Sequence, residues 1–225
     1  PLKNYVIPVS TPFALTANAS DIDDDLLTYT WEQLDTEITT HPLVSTATGG
    51  PAFRSLSPNR SSIRYFPAQN TVIAGNLSST WEVLPSVART MRFGVNVRDN
   101  NNKGGQTASK ETVITFIEDQ GAFYVTSQET AETWYAGTSN LVTWEVASTN
   151  LAPINCTKVD ILLSTDGGLT YPITLASNIN NNGSYEVISP NIVTNTARIK
   201  VSSVGNIFYA INDANISIFR IYNEF

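Results

Sequence analysis

The feature that most constrains this chain is a run of short apolar segments with two-residue alternation, repeated from end to end and separated by turn-forming residues. Phe13-Ala14-Leu15-Thr16-Ala17, Leu26 to Trp31, Met91 to Val97 and Thr112 to Ile117 are β-branched or aromatic and brief. So are Phe123 to Thr126, Val159 to Ser164, Tyr185 to Ile188, Ala197 to Val201 and Ile216 to Phe219. Successive strand residues face opposite sides of a sheet, so this period predicts strands. Gly49-Gly50-Pro51, Asn100 to Gly105, Asp166-Gly167-Gly168 and Asn180 to Gly183 supply the turns between them. No convincing amphipathic helix interrupts the pattern.

A β-sandwich of immunoglobulin type needs roughly 100 residues, and this chain has 225. A strand-like run ends in Glu118-Asp119-Gln120-Gly121 before a new one begins, which predicts one module over 1–119 and a second over 120–225. Tyr29-Thr30-Trp31-Glu32 and Val142-Thr143-Trp144-Glu145 echo each other, as a tryptophan packed between two sheets in each module explains. The expected fold class is all-β, two tandem immunoglobulin-like β-sandwiches.

Composition then removes whole classes of function. With 41% hydrophobic residues, 9 Tyr, 9 Phe and 4 Trp the chain has enough apolar material to fold. Its net charge of −7, with Lys and Arg scattered singly, repels nucleic acid. The single cysteine, Cys156, excludes an internal disulfide and a cysteine-based zinc site, and reads as a small buried residue. His41 is the only histidine, so a paired-histidine zinc motif is impossible and no zinc is expected in this segment. It precedes Pro42 in a polar loop, where a solvated ring is the natural reading. No stretch approaches the roughly 20 apolar residues that span a bilayer, and Pro1-Leu2-Lys3-Asn4-Tyr5 is no signal-peptide core. The expectation is an excised part of an exported protein, secreted or at the cell surface, and not itself an enzyme.

Four acids crowd into Asp21-Ile22-Asp23-Asp24-Asp25 between two strands. Calcium takes 6 to 8 oxygen ligands, and alternate acids in a tight loop converge on one point. Asp21, Asp23 and Asp25 have that spacing, and Asp99, in the loop expected at the same end of the sandwich, completes the candidate metal set. A solvated acidic turn, partly neutralised by Arg98, is the plainer alternative.

Ser164-Thr165-Asp166-Gly167-Gly168-Leu169-Thr170-Tyr171 fits an Asp-box, in which Ser and Asp brace a turn above a packed aromatic. Trp81 and Trp134 are candidates for carbohydrate stacking, although tryptophan in a small β-module more often packs in the core. Six Asn-x-Ser/Thr sequons, at Asn18, Asn59, Asn76, Asn155, Asn182 and Asn215, matter only in a eukaryotic secretory pathway.

Ser10-Thr11-Pro12-Phe13, Ala19-Ser20-Asp21-Ile22-Asp23, Leu27 to Gln33, Gly50 to Ser55, Arg64-Tyr65-Phe66-Pro67 and Thr80 to Pro85 form a run with a recognisable likeness. It continues through Val97-Arg98-Asp99-Asn100, Thr143 to Ala147, Ala152 to Asn155, Val159 to Gly168 and Ala197 to Val201. This run resembles the region C-terminal to the catalytic domain in reprolysin-like zinc metallopeptidases exported by Bacteroidetes-type bacteria, over nearly the whole chain. The resemblance implies a first module of polycystic-kidney-disease (PKD) or cadherin-like type and a position between a zinc protease domain and a type IX secretion sorting domain. The family's catalytic histidines and glutamate have no counterpart here. Its Asp-x-Asp-Gly-Asp loop falls on Asp21, Asp23 and Asp25, with Asp24 in place of glycine.

The function expected is therefore an accessory, spacer or substrate-interaction region, its first module stabilised by calcium and its partner the catalytic domain of the parent chain. The alternatives are a carbohydrate- or matrix-binding module that engages an extracellular protein or polysaccharide, and an adhesin fragment with no protease attached.

Overall fold

The computed structural model describes residues 3–118 and 120–221. Asp119, beside the module boundary expected at 119/120, lies outside the described residues. The first half contains β1 (Tyr5–Pro8), β2 (Phe13–Thr16), β3 (Thr28–Gln33), β4 (Ile63–Phe66), the single turn α1 (Gln69–Ile73), β5 (Ser78–Ser79), β6 (Glu82–Val83), β7 (Arg89–Arg98) and β8 (Thr107–Ile117). The second contains β9 (Tyr124–Val125), β10 (Glu132–Tyr135), β11 (Ser139–Glu145), β12 (Lys158–Ser164), β13 (Ile173–Asn180), β14 (Ser184–Ile188), β15 (Thr194–Ser203), β16 (Tyr209–Ile211) and β17 (Ile216–Phe219).

In the first half one sheet runs β1-β8-β7-β3, faced by the pair β2-β4 and the small hairpin β5-β6. All pairs are antiparallel except β1, which runs parallel to β8 with Tyr5 opposite Ile114. Alternation drives this packing: every second residue from Arg89 to Val97 on β7 is buried. Those residues meet a cluster of phenylalanines. Phe13 and Phe66 stack at 4.8 Å, and Phe93 lies edge-on to both, at 5.7 Å and 4.9 Å. Each ring buried whole contributes about 1.5–3 kcal/mol, with up to about 1.5 kcal/mol more from edge-to-face geometry.

The second half repeats the plan with wider sheets, β10-β17-β15-β12-β13 facing β14-β11-β9, while β16 adds to β15. Here too the early strand β10 runs parallel to the last, β17. Two packed layers in each half, with an early strand lying parallel to the last, define tandem immunoglobulin-like β-sandwiches.

Both echoed tryptophans are buried, yet they are not equivalent. Trp31 sits on β3, in the sheet that holds the first and last strands of its sandwich, whereas Trp144 sits on β11, in the opposite sheet. Each indole N–H is satisfied differently, on Ser62 O at 3.1 Å and on Asn181 Oδ1 at 2.8 Å. A bulky apolar residue, then Thr, then Trp suits either inward face, so the motif alone does not choose a sheet.

The halves are also joined edge to edge. β2 pairs with β4 on one side; on the other, Ala14 N–H donates to Ile207 O at 2.9 Å and Tyr209 N–H to Pro12 O at 3.0 Å, with Phe13 opposite Phe208. Thr11 Oγ1 receives Phe123 N–H at 2.9 Å, and Phe123 lies against Phe208 at 5.0 Å. A strand edge of the first sandwich is thus capped by the second, which removes an unpaired edge.

Candidate functional site: the acidic loops and the joint

The acidic loop lies between β2 and β3, and the Asp99 loop between β7 and β8. Because β3 pairs with β7 from Thr28/Arg98 onward, the two loops emerge side by side. Asp25 and Asp99 line one shallow surface pocket with Leu26, Thr28, Arg60 and Asn100. Asp21 turns inward on its own loop, its Oδ1 accepting the N–H groups of Asp23 at 2.9 Å and Asp25 at 3.2 Å. Asp23 and Asp24 are exposed. Asp24, where the resembled family has glycine, adopts the left-handed conformation with φ 58°; Asp is one of the few non-glycine residues that tolerate it.

Two asparagines link the loops. Asn101 Nδ2 donates to Asp25 Oδ2 at 2.7 Å, and Asn100 Nδ2 donates to Leu26 O at 3.0 Å. Asp99 is spent on its own loop, receiving Gln106 N–H at 2.8 and 2.9 Å. Among the described residues no three Asp, Glu, His or Cys side chains are grouped as a metal ion groups its ligands. Asp25 and Asp99 face the same surface pocket with their carboxylates already accepting hydrogen bonds, and the Asp21 carboxylate is turned onto its own backbone.

The joint between the sandwiches gathers aromatic and charged side chains from both halves. Lys200, on β15, points its ammonium at three tyrosine rings: Tyr171 at 4.3 Å, Tyr209 at 5.7 Å and Tyr65 of the first sandwich at 5.8 Å. Tyr65 in turn stands edge-on to Tyr209 at 5.6 Å. Burial pulls the Lys200 ammonium down to about 8, since a charge loses hydration there, while the ring faces attract the cation. Burial likewise pushes the Tyr65, Tyr171 and Tyr209 hydroxyls up.

The Asp-box turn forms the other half of the joint. Ser164 Oγ accepts Gly168 N–H at 2.8 Å, and Asp166 accepts Thr170 N–H at 2.9 Å and Thr170 Oγ1 at 2.6 Å. Hydrogen bonds from Ser164 and Thr170 hold the Asp166 carboxyl at about 2. The braced turn presents its carbonyls to the first sandwich, where Gln69 Nε2 on α1 donates to Gly168 O and, at 3.0 Å, to Leu169 O. The bracing expected from sequence is present; its use as a docking knuckle is an addition.

The remaining candidates separate cleanly. Trp134 is 2% exposed and Trp81 is 48% exposed, so the two do not form a common stacking face. Trp134 gives its indole N–H to Glu132 at 3.2 Å. His41 is exposed and packs on Trp81 with ring centroids 4.6 Å apart. Cys156 is buried, its thiol donating to Lys158 O at 3.3 Å and pushed up by burial.

Sequence reasoning missed Lys200 and its tyrosines. The alternation Arg198-Ile199-Lys200-Val201 predicts a solvated outer face, but the rings of Tyr171 and Tyr209 and of Tyr65 from the first sandwich surround the Lys200 ammonium. Tyr65 and Tyr171 come from residues far along the chain, which a local period does not register.

No protein-family model matches the sequence, and no curated protein matches it. Among solved structures, the tandem Ig repeats of Dlar are similar over 97% of this chain and 95% of that one, at 12% identity and TM-score 0.47. Drosophila N-cadherin EC1-4 is similar over 97% of this chain and 48% of that one, at 11% identity and TM-score 0.30. The titin domains z1z2 in complex with telethonin are similar over 99% and 95%, at 11% identity and TM-score 0.28. The assignment to tandem immunoglobulin-like sandwiches stands on the strand order and register described above.

Proposed function

We propose that this tandem is a non-catalytic spacer of an exported protein, holding the regions on either side of it at a fixed separation and angle. The observation that carries this reading is the joint. Edge pairing at Pro12, Ala14, Ile207 and Tyr209, the Gln69 contacts and the shared tyrosine cage tie the sandwiches at three separate points. Inter-domain contacts in a flexible linker arrangement are few; here backbone, side-chain and cation-π contacts all cross the joint. The resemblance to the region C-terminal to the catalytic domain of exported metallopeptidases makes that domain the natural partner, and type IX secretion the natural route.

Calcium belongs to the same proposal. Asp25 and Asp99 would hold the ion between the two loops, with Asp21 and Asp23 supplying further oxygens, and the ion would neutralise the acidic run.

Small-angle X-ray scattering of the tandem tests the spacer reading. One inter-module distance, unchanged from low to high salt, is the expected result; a broad distribution of distances would overturn it.

A further inference from the structure

We infer that the first sandwich carries a binding subsite for a neutral glycan, formed by Trp81 and the serine-lined cleft beside it. This inference goes beyond the spacer reading and stands or falls independently of it.

Trp81 lies in the turn of the β5–β6 hairpin and is the one tryptophan of four that the fold leaves in solvent; Trp31, Trp134 and Trp144 are each at most 3% exposed. Exposing about half of an indole forfeits burial that the fold gives the other three. The ring is nevertheless held in place. His41 packs on it, the Arg54 guanidinium lies 5.7 Å from its centroid, and its backbone is fixed by Arg54 N–H on Trp81 O at 3.1 Å. A braced, half-open aromatic has the form of a stacking platform, since little conformational entropy is lost when a ligand lands on it.

The two segments that make the platform run directly into a cleft of about 280 Å³. The segment after His41 supplies Leu43 and Ser45, and the strand before Trp81 supplies Ser78 and Ser79; Ser10 and Ser86 complete the hydroxyl lining. That volume is just under the roughly 300 Å³ at which small-molecule pockets begin, which suits one ring of a longer chain. Five hydroxyls and no ionisable side chain line the cleft. Hydroxyls both donate and accept, matching a ligand that is itself a dense array of hydroxyls, while the absence of charge in the lining and the net charge of −7 disfavour acidic ligands. An apolar C–H face for the indole and a hydroxyl rim for the serines are the two surfaces of a neutral sugar ring.

Affinity electrophoresis of the whole tandem through gels containing a neutral β-glucan, xylan or mannan tests this, with acrylamide quenching of tryptophan emission as a second readout. Retardation by at least one neutral polysaccharide is expected, together with protection from quenching. Because Trp81 is the exposed tryptophan, protection reports on this site. Trp81→Ala should keep the wild-type melting temperature and lose affinity tenfold or more, and Ser45→Val with Ser78→Val should weaken binding with the platform intact. No retardation by any of the three, or equal retardation of Trp81→Ala, would overturn the site. Trp81-dependent binding to a matrix protein, without binding to any glycan, would overturn the ligand class.

Discussion

The Nζ of Lys200 lies 4.3 Å from the centroid of the Tyr171 ring, and Tyr65 of the other sandwich closes the same cage at 5.8 Å. A cation between modules therefore sits where it is both attracted by π-faces and starved of water, and its protonation is linked to the integrity of the joint.

Protonation of Lys200 sets the sign of a pH effect. Its folded-state value, about 8, lies below the ordinary 10.5, so between these values the unfolded chain binds more protons and stability rises with pH. The gain is complete above 10.5 and absent below 8. Cys156 and the tyrosines have raised values and act in the opposite direction above about 9. Between pH 8 and 9 the wild type should therefore gain up to about 1 kcal/mol. Lys200→Met, which keeps the cage filled, should show no such gain when urea midpoints are compared at the two pH values.

Gly168 tests the Asp-box knuckle. Its φ is +98°, and a β-carbon there would come within 3.0 Å of Ile73 Cγ1 and 3.1 Å of the Tyr171 hydroxyl. Gly168→Ala should cost about 1–3 kcal/mol from backbone strain and push α1 away from the turn. Gln69→Ala removes the contact without that strain. Both should broaden the inter-module distances seen by scattering, while Gln69→Ala leaves the melting temperature within about 2 °C, as a substitution away from any core feature does.

Arg64 and Glu82 form a buried ion pair at 2.9 Å inside the first sandwich. Burial lowers the Arg64 guanidinium and the Glu82 hydrogen bond offsets it, while Glu82 also accepts Ala68 N–H at 2.7 Å. Glu82→Ala strands a cation in the core and should cost about 3–5 kcal/mol, whereas replacing both partners with apolar residues of similar volume should cost far less. Chemical denaturation of the single and double variants measures the difference.

How much of the molecule was legible in the sequence depends on the range of the interactions. Period-two alternation located β2, β7, β8, β12, β15 and β17, because each has one face on its own sandwich core. It passed over β13, whose residues are nowhere fully buried, and β5 and β6, which are two residues each. The Asp-box was readable because all its bonds fall within seven residues. The cage around Lys200 was not, since Tyr65 lies 135 positions away in sequence and nothing in its flanking residues marks a cross-module contact. The acidic loop falls between: the expected sandwich put its loop at the same end as that of Asp99, and both line one pocket, but only the structure revealed that Asn100 and Asn101 already tie these loops.

That existing tie bears on the proposed calcium site. Because asparagine hydrogen bonds hold the loops together without an ion, the module should fold in chelator, and a bound metal would add to a link already formed. Binding the folded state alone stabilises by about 2.7 kcal/mol at a hundredfold excess over the dissociation constant, which for a module of this size raises the melting temperature by several degrees. Calorimetry should show that rise with calcium and its loss in Asp25→Asn and Asp99→Asn; identical melting temperatures with calcium and with chelator would remove the ion from Asp21, Asp23, Asp25 and Asp99. Asn101→Ala supplies the converse. It breaks the bond to Asp25 and should lower the melting temperature in chelator, and calcium should restore it if the ion and the asparagine clasp the same pair of loops.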